Sequence, residues 1–315
     1  MNLSLLHTPD GVRDIYGKEL EYKNRIIELF QENIIKYGYD EIQTPTLEFL
    51  KVFSEENDSM EQRMFRYIDR DGETLVIRPD FTPSVARCAA KYFENDNIPL
   101  RFFYKGNSFI NKGAYEGKAI EVTEMGIELM KDDSYIADAE VLKIVIENLE
   151  AIGLDDYKIV LSTRENNGLE RLEKTVDLLK SKNVSDKVYI DLTLESNFKY
   201  YTGMIFKVYT YGVGDSICKG GRYNSLLSKF GTDAPAVGCV FMVDDILQSL
   251  RRQKISVDTK KLERIFVLYN EDNAESKMKT CDDLRKYNKS VCMINEKQAD
   301  DNFRLFCKEN NYEII

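Results

Sequence analysis

The stretch Leu75-Val76-Ile77-Arg78-Pro79-Asp80-Phe81-Thr82-Pro83-Ser84-Val85-Ala86-Arg87 indicates the fold better than any other part of the chain. Its apolar start, together with Thr74, predicts a buried strand that follows a turn at Asp71-Gly72. A helix is expected from Pro83 to Phe93. Asp80 lies just before that helix, where a carboxylate accepts the first amide hydrogens, so helix capping alone is one interpretation of this residue.

The preceding residues predict a long helix and a short strand. Apolar residues recur near helical spacing from Glu19 to Lys36. Tyr37-Gly38-Tyr39 ends this helix, with the glycine supplying a left-handed C-cap. Glu41 to Pro45 is predicted as a short strand that the proline stops.

The following residues predict a mixture of strands and helices. Ser134 to Ile152 carries apolar residues at helical spacing, which favours an amphipathic helix. Leu161 to Val184 is predicted as a compact, mostly helical insertion. The other predicted elements are strands, at Arg101 to Lys105, Ala119 to Met130, Val188 to Leu194 and Met204 to Tyr209, the first two joined by a glycine-bearing loop at Asn111 to Gly117.

The end of the chain changes to an alternation of strand and helix after about Asp258. Strands are predicted at Ile265 to Leu268, Ser290 to Ile294 and Tyr312 to Ile315, with helices at Ala274 to Tyr287 and Asp301 to Asn310. This alternation is typical of a βαβ module with parallel strands. We therefore expect a core at residues 1–258 and a small C-terminal α/β module at residues 259–315.

Charge and hydropathy exclude several classes of function. The 315-residue chain has a formal net charge of -10 and a pI near 5.0. Because affinity for nucleic acid comes largely from Lys and Arg, no nucleic-acid partner is expected. No apolar run reaches the ~18 residues of a membrane span. Met1 to Pro9 lacks the basic and apolar pattern of a secretory signal, so a cytoplasmic protein is expected.

Potential metal ligands and nucleophiles are sparse. The six cysteines include no C-x-x-C pair, and His7 is the single histidine of the chain. We interpret the cysteines as reduced core thiols and expect neither a metal nor a cofactor. A lone histidine without a positioned cysteine or serine makes a poor nucleophile system, so His7 is expected to be structural or exposed and no catalytic residue is predicted.

Several segments resemble the histidyl-tRNA synthetases and their paralogues. They are Pro9 to Asp14, Tyr37 to Glu48, Asp69 to Glu73, Leu75 to Arg87, Glu124 to Glu128, Tyr201-Thr202-Gly203 and Lys219-Gly220-Gly221-Arg222-Tyr223. The resemblance implies a class II synthetase-like α/β (α+β) fold, with an antiparallel sheet of six or seven strands flanked by helices. It also implies a dimer that forms through the first signature motif.

Three arginines that hold ATP in this family have no counterpart here. The second motif reads Gly106-Asn107-Ser108-Phe109-Ile110-Asn111-Lys112, the histidine-specific loop has Ser196 at its arginine position, and the third motif has Asp244-Asp245 in place of Glu-Arg. Positioned arginines stabilise the charge that develops on the phosphates, and losing one such donor typically costs about 10²- to 10³-fold in rate. We expect no aminoacyl-adenylate synthesis, with Lys112 and Lys199 as the nearest residues that would compensate.

The resemblance implies a histidine-binding pocket made of six residues: Asp80, Thr82, Glu124, Glu128, Tyr201 and Tyr223. Asp80, Thr82 and Glu124 correspond to the groups that hold the ligand ammonium. Glu128 and Tyr201 correspond to the groups that bind the ring, and a carboxylate with a phenol suits the donors and acceptor of imidazole. Because the arginine that would hold the ligand carboxylate is lost, weak binding or a different amino acid is the alternative.

Each part of this pocket also has a plain structural interpretation. Glu124 and Glu128 are four residues apart in a predicted strand, and same-face carboxylates are often only a solvated surface. Gly220 to Tyr223 alone is typical of a turn, and Tyr200-Tyr201 of a packed β pair. The ordered series of matches favours the pocket.

Two further positions shift the resemblance toward the regulatory subunits of ATP phosphoribosyltransferase. Asp80 stands where most synthetases have Glu, and Gly126 replaces an acidic residue typical of them. The resemblance implies a non-catalytic partner of the short catalytic subunit, needed for its activity and for feedback control by histidine in the first step of histidine biosynthesis. The alternatives are a truncated or divergent synthetase-type enzyme that activates an amino acid with ATP, and a tRNA-binding accessory module, which the acidic charge disfavours.

Overall fold

The computed structural model describes residues 6–54, 62–111, 119–165, 168–180, 186–196, 199–259 and 262–315. The chain divides into two compact units, Met1–Asp258 and Thr259–Ile315. The first unit contains an eight-stranded sheet and a small three-stranded sheet, and the second unit contains another three-stranded sheet.

The elements of the first unit follow the chain from Gly17 to Gln253. Its helices are α1 (Gly17–Ile35), α2 (Leu50–Phe53), α3 (Thr82–Tyr92), α4 (Tyr135–Ala151), α5 (Leu169–Leu179) and α6 (Val243–Gln253). Its strands are β1 (Asp40–Glu41), β2 (Leu47–Phe49), β3 (Arg66–Ile68), β4 (Thr74–Ile77), β5 (Leu100–Phe109), β6 (Glu121–Met130), β7 (Tyr157–Thr163), β8 (Val188–Ile190), β9 (Met204–Thr210), β10 (Cys218–Arg222) and β11 (Ala236–Met242).

The large sheet has the strand order β1-β5-β6-β11-β10-β9-β7-β8. Its six central strands are antiparallel, as expected, whereas β1 and β8 pair parallel to their neighbours at the two edges. The expected count of six or seven strands was therefore too low. The two edge strands are only two and three residues long, too short to show the alternation that marks a strand in sequence.

Strand β6 shows how the two faces of this sheet differ. The alternate residues Met125, Ile127 and Leu129 lie in the main apolar core together with residues of α1, α4 and α6. Met130, on the other face, packs in a second apolar cluster with residues of α3. Since side chains alternate along a strand, Glu124 and Glu128 lie on this second face.

The quoted strand and helix are confirmed as β4 and α3. Strand β4 lies between β2 and β3 in the small antiparallel sheet, and the chain then enters α3 at Thr82. Helix α1 also matches its prediction. It ends at Ile35, and Gly38 adopts the left-handed backbone expected of it, with φ of +78°.

Three predictions about elements of the first unit are corrected. The Glu41 to Pro45 strand is reduced to β1, which ends at Glu41. The segment from Leu161 is not an insertion, because Leu161 to Thr163 belong to β7 of the large sheet and α5 packs near α4. The Val188 to Leu194 strand ends at Ile190, because the Asp191 side chain accepts hydrogen bonds from Thr193 and forms a turn. The predicted loop at Asn111 to Gly117 lies almost wholly outside the described residues.

The second unit has the parallel arrangement that its sequence predicts. Its elements are β12 (Arg264–Tyr269), α7 (Ala274–Lys286), β13 (Ser290–Asn295), α8 (Asp301–Glu309) and β14 (Glu313–Ile314). Strand β12 lies between β13 and β14 and pairs parallel with both. Its core is small, formed by Ile265, Val267, Cys281 and Val291.

Candidate functional site

Glycines line the centre of the large sheet and let polar and aromatic side chains lie flat against it. A Cβ atom built on Gly238 would lie 2.9 Å from the Glu128 carboxyl carbon, and one on Gly221 would lie 2.8 Å from the Tyr201 ring. Gly238 is also the cross-strand partner of Glu128. Side chains at these positions would fill the space that Glu128 and Tyr201 occupy, so the glycines are required by the pocket above them.

Glu128 is the most deeply buried acid of this pocket, with 1% of its surface exposed. Thr82 Oγ1 donates a hydrogen bond to its Oε1 at 2.8 Å, and the Tyr223 hydroxyl donates to its Oε2. Burial raises the pKa of Glu128 to about 8, although both hydrogen bonds favour the charged form and oppose that shift. The carboxyl group therefore holds a proton over much of the neutral range while it retains capacity to accept further hydrogen bonds.

Asp80 connects the start of α3 to the aromatic wall of the pocket. Its Oδ1 accepts the Thr82 amide hydrogen at 3.1 Å, and its Oδ2 accepts a hydrogen bond from the Tyr200 hydroxyl at 3.1 Å. One carboxylate oxygen of Asp80 thus accepts a hydrogen bond from the start of the helix, as the capping interpretation expects. The other oxygen bonds to the aromatic wall of the pocket. Tyr200, which the sequence suggested only as a packing residue, is part of the polar network.

The aromatic wall consists of three tyrosines in edge contact. The Tyr200 ring lies 4.8 Å from that of Tyr201 and 5.8 Å from that of Tyr223, between ring centroids. Tyr200 and Tyr201 are not a β pair, because they precede β9 in a turn. Burial raises the pKa of both Tyr201 and Tyr223, so their hydroxyl groups stay protonated and are donors.

Glu124 lies at the other end of the pocket, next to Lys219. Glu124 is 5% exposed, and burial raises its pKa to about 7, while the nearby Lys219 ammonium opposes this shift. The sequence-based prediction missed Lys219. A signal was present, however, since Lys219 is four residues before Tyr223, which directly follows β10, and alternation places both side chains on one face of the sheet.

All six residues predicted for the pocket line one small cavity of about 20 Å³. The cavity is also lined by Pro79, Ile110, Tyr200, Lys219, Gly238, Cys239 and Val240. A single water needs ~10–15 Å³ by this kind of measure, so the cavity has room for about one water molecule as its side chains stand. A ligand of the size of histidine enters only if the lining side chains move.

A groove of about 1530 Å³ adjoins this cavity. Four residues line both spaces and so form the boundary between them: Ile110, Glu124, Tyr201 and Lys219. Among the described residues that line the groove, nine carboxylates face six cations. A groove with excess negative charge is poorly suited to a triphosphate.

The three positions that lack the family's arginines fall on this groove or beside it. Ser196 lines the groove and its carbonyl accepts a hydrogen bond from Arg164 at 2.9 Å. Asp245, at the arginine position of the third motif, lines the groove, and Asp244 beside it forms an ion pair with Lys23 at 2.8 Å and accepts the Thr123 amide hydrogen at 2.7 Å. Of the motif-two turn, Ile110 and Asn111 are described and Lys112 lies outside the described residues.

Two arginines near the pocket are already committed to backbone carbonyls. Arg164 donates to the carbonyls of Ser196, Lys199 and Tyr201, and so holds the loop that carries the tyrosines. Arg78 donates to carbonyls of Thr44 and Asn107. Sequence reasoning missed the role of Arg164, which is far from this loop along the chain. Neither guanidinium replaces the lost phosphate-binding groups without giving up these bonds.

Metal and membrane contacts have little support in the same structure. In the ranges given above, no group of three or more His, Cys, Asp and Glu side chains is placed to hold a metal ion. None of the helices in the described part of the chain is long and apolar enough to cross a bilayer.

Comparisons with known proteins agree with the fold. The family described as histidyl-tRNA synthetase matches residues 11–166 and 162–246. The ATP phosphoribosyltransferase regulatory subunit of Clostridium novyi is 30% identical, over 91% of this chain and 86% of its own length. That of Acetivibrio thermocellus is 28% identical over the same shares of the two chains.

Solved structures show the same fold. A protein of Bacillus halodurans C, described as an ATP phosphoribosyltransferase regulatory subunit/histidyl-tRNA synthetase, superposes with a TM-score of 0.84 at 25% identity, over 99% of this chain and 98% of the other. The apo histidyl-tRNA synthetase of S. aureus has a TM-score of 0.81 at 21% identity, over 98% of this chain and 88% of the other. The second likeness shows the fold alone.

Proposed function

The chain belongs to the histidyl-tRNA synthetase family and, within it, to the ATP phosphoribosyltransferase regulatory subunits, and from this premise we propose that it activates a short catalytic subunit and transmits feedback inhibition by histidine. The observation that supports the proposal is that the six candidate pocket residues line one cavity, while three positions that carry arginine in the family hold other residues. Asp245 is at one of those positions, and Asp244 beside it forms an ion pair with Lys23. We therefore expect amino-acid recognition without adenylation.

Histidine is the proposed ligand of the six-residue pocket. Asp80 and Glu124 supply carboxylates for its ammonium group, and Glu128 with Tyr201 supplies an acceptor and a donor for the ring. Because the cavity is small, binding requires movement at the boundary with the groove. A ligand that binds one arrangement of these side chains better than another shifts the equilibrium between them, which is the physical requirement for control of a partner.

The first test is reconstitution with the short catalytic subunit. Phosphoribosyl transfer should rise when this protein is added and should fall again when histidine is present. An unchanged rate on addition of the protein would contradict the role as activator. A rise that histidine does not reverse would support activation and contradict histidine control.

The second test locates the histidine site. Histidine is titrated into the isolated protein, into an Asp80→Ala/Glu128→Ala variant and into a Glu170→Gln control. Within the described ranges, Glu170 forms an ion pair with the exposed Lys174 on α5. Loss of binding in the double variant alone supports the pocket, and equal binding by all three proteins removes the pocket from consideration.

The alternative of an amino-acid-activating enzyme has a direct assay. ATP–pyrophosphate exchange in the presence of histidine should stay at background, because the three positions that carry phosphate-binding arginines in the family hold other residues here. Exchange at a rate typical of a synthetase would overturn the regulatory proposal. Exchange that depends on a different amino acid, and not on histidine, would support a divergent ligase.

Self-association is proposed to use the first-motif region and the small sheet beside it. Large apolar side chains are exposed there, including Leu47 at 51%, Tyr67 at 58% and Ile68 at 68%. Exposed apolar patches of this kind mark interaction surfaces. A Leu47→Glu variant should sediment as a smaller species than the parent protein, and unchanged sedimentation would argue against this surface.

The proposed location is the cytoplasm. The six cysteines are free, and Cys218, Cys239, Cys281 and Cys307 are buried. Reduced thiols are typical of proteins that stay in a reducing compartment. Fractionation of the source cells, with detection of the protein in the cytosolic fraction, tests this location.

A further inference from the structure

Lys219 occupies the boundary between the small cavity and the groove. It lines both spaces, and it lies on the same face of β10 as Gly221 and Tyr223 because side chains alternate along the strand. The Tyr201 ring lies against Gly221. The ammonium group of Lys219 is thus placed where a ligand in the cavity would present its outer end to the groove.

The cavity has three acidic side chains and one basic side chain in its described lining. Asp80, Glu124 and Glu128 contribute three buried carboxyl groups, each at most 8% exposed. Among the described residues that line the cavity, Lys219 is the one cation. It already favours the charged form of Glu124, so its charge is felt inside the cavity as well as at the boundary.

The nearby cations differ in their surroundings. Arg164 and Arg78 donate to backbone carbonyls. Arg222, three residues after Lys219, lies on the opposite face of the sheet and pairs with the buried Asp138. Lys207, the cross-strand partner of Lys219, lines the groove but not the cavity. A ligand carboxylate that enters this acidic surrounding needs a cation, since an unpaired buried charge is costly.

We propose that Lys219 binds the α-carboxylate of the amino-acid ligand and so takes the part of the arginine that Ser196 replaces. The inference rests on the proposed histidine pocket and names the residue that makes it selective for a free amino acid. The ring enters the cavity, the ammonium group lies among the carboxylates, and the carboxylate meets Lys219 at the boundary. Charge-assisted hydrogen bonds of this kind are about twice as strong as neutral ones.

The test compares L-histidine with L-histidine amide, which keeps the ring and the amine and replaces the carboxylate with a neutral group. Calorimetric titration of the parent protein should show histidine binding roughly 10- to 100-fold more tightly than the amide. Lys219→Gln should bring the ratio of the two affinities close to one, and Lys219→Arg should retain the preference. The protonation state of each ligand is the same in every titration, so it does not affect the change in the ratio between the parent protein and a variant.

Lys207→Gln is the matched control. Lys207 pairs directly with Lys219 across β9 and β10 and lines the groove, but it does not line the cavity. It should leave the ratio of affinities unchanged. Urea unfolding of each variant identifies any that is not folded. If Lys219→Gln does not fold, Lys219→Met is the second neutral replacement, and it should likewise bring the ratio close to one.

The outcomes separate this inference from the proposed function. The role of Lys219 is overturned if Lys219→Gln leaves the ratio unchanged, or if the parent protein binds the amide as tightly as histidine. Either result leaves the proposed pocket in place. No binding of either ligand by the parent protein overturns both the pocket and this inference. Activation of the catalytic subunit is measured independently of all three results.

Discussion

The ring of Tyr104 occupies the space that a side chain at Gly126 would need, and the two residues are direct partners across β5 and β6. Tyr104 stacks on Phe81 at 4.4 Å, and the Arg78 guanidinium lies 4.0 Å from the Phe81 ring centroid. Gly126 thus supports a column of stacked groups that holds the start of α3, and with it Asp80 and Thr82, beside the pocket.

Gly126→Ala should destabilise the protein by about 1–3 kcal/mol, the usual cost of overpacking a filled core. A Cβ at this position would overlap Tyr104 and come within 2.7 Å of the Cys239 carbonyl, which belongs to the neighbouring strand and moves with difficulty. Unfolding in urea measures the change. Gly214→Ala is the control, since nothing lies within 4 Å of a Cβ there, and it should be close to neutral.

A second substitution checks the cause of that loss. Tyr104→Leu in the Gly126→Ala background should recover part of the stability by removing the ring that the new methyl group meets. If Tyr104→Leu destabilises Gly126→Ala and the parent protein by the same amount, the two residues are not coupled, and the packing argument is wrong.

Arg222→Lys should cost about 3 kcal/mol or more in unfolding free energy. Both Arg222 and Asp138 have fully buried side chains, and two nitrogens of the guanidinium meet Asp138 Oδ1 at 2.6 and 2.8 Å. Further Arg222 donors reach the carbonyls of Asp132 and Ser134. An ammonium group cannot span these acceptors, so the substitution leaves buried oxygens without donors.

The exposed pair of Arg285 and Asp282 provides the comparison for this prediction. Their side chains are 48% and 60% exposed, and Arg285→Lys should change stability by no more than ~0.5 kcal/mol. Similar losses for Arg222→Lys and Arg285→Lys would show that burial of the Arg222 pair contributes nothing beyond a surface contact.

The six pocket residues were predicted from the resemblance to the synthetase family, and the alternation of strands agrees with that assignment. Glu124 and Glu128 share a face of β6, and the same rule links Lys219 on β10 to Tyr223, the residue after this strand. The resemblance named the first pair, and Lys219 was overlooked. The parallel C-terminal unit was equally accessible, since its strands and helices alternate clearly along the chain.

The contacts that sequence could not supply join residues far apart in the chain. Arg164 holds the tyrosine loop from the end of β7, and the last residues of that strand, from Leu161, were predicted as part of a helical insertion. The Tyr104 and Gly126 contact depends on the register of two long strands. The size of the cavity depends on the side-chain arrangement of all its residues, which no local pattern determines.

Asp244→Ala should destabilise the protein by about 3 kcal/mol. It leaves the Lys23 side chain, which is 10% exposed, without its carboxylate partner at 2.8 Å, and it removes the acceptor of the Thr123 amide. Lys23→Met should recover part of this loss by removing the unpaired charge. The exposed Glu275 and Lys279 pair, at 87% and 75%, is the control, and an equal effect of Glu275→Ala would contradict the argument.

Asp244→Arg should be worse than Asp244→Ala, because it places a second cation beside Lys23. Asp244 stands at the family's glutamate position and Asp245 at its arginine position, so this variant tests the pairing of α6 with α1 through Lys23. We expect the arginine variant to unfold at lower urea concentration than Asp244→Ala. Equal unfolding midpoints for the two variants would show that the Lys23 charge does not act on residue 244.

Glu128 should make stability fall as pH rises from about 5 to 8. Burial raises its pKa from the usual 4.5 to about 8 in the folded protein, so the folded state keeps a proton that the unfolded chain has released. The stabilising contribution is complete below pH 4.5 and is lost as pH rises through 8, with a slope of at most ~1.4 kcal/mol per pH unit. Glu128→Gln mimics the protonated group and should flatten the dependence.

The free energy of unfolding in urea, measured between pH 5 and 8.5, checks this slope. Other titrating groups contribute to both proteins, so the difference between the parent and Glu128→Gln isolates Glu128. Glu124→Gln is the companion variant. Because burial raises the pKa of Glu124 only to about 7, the difference that it makes should level off near pH 7, one unit earlier than for Glu128. If the plots of unfolding free energy against pH are parallel for the parent and Glu128→Gln, this carboxyl group is charged over the whole range. Its site would then be more hydrated than its contacts with Thr82 and Tyr223 imply.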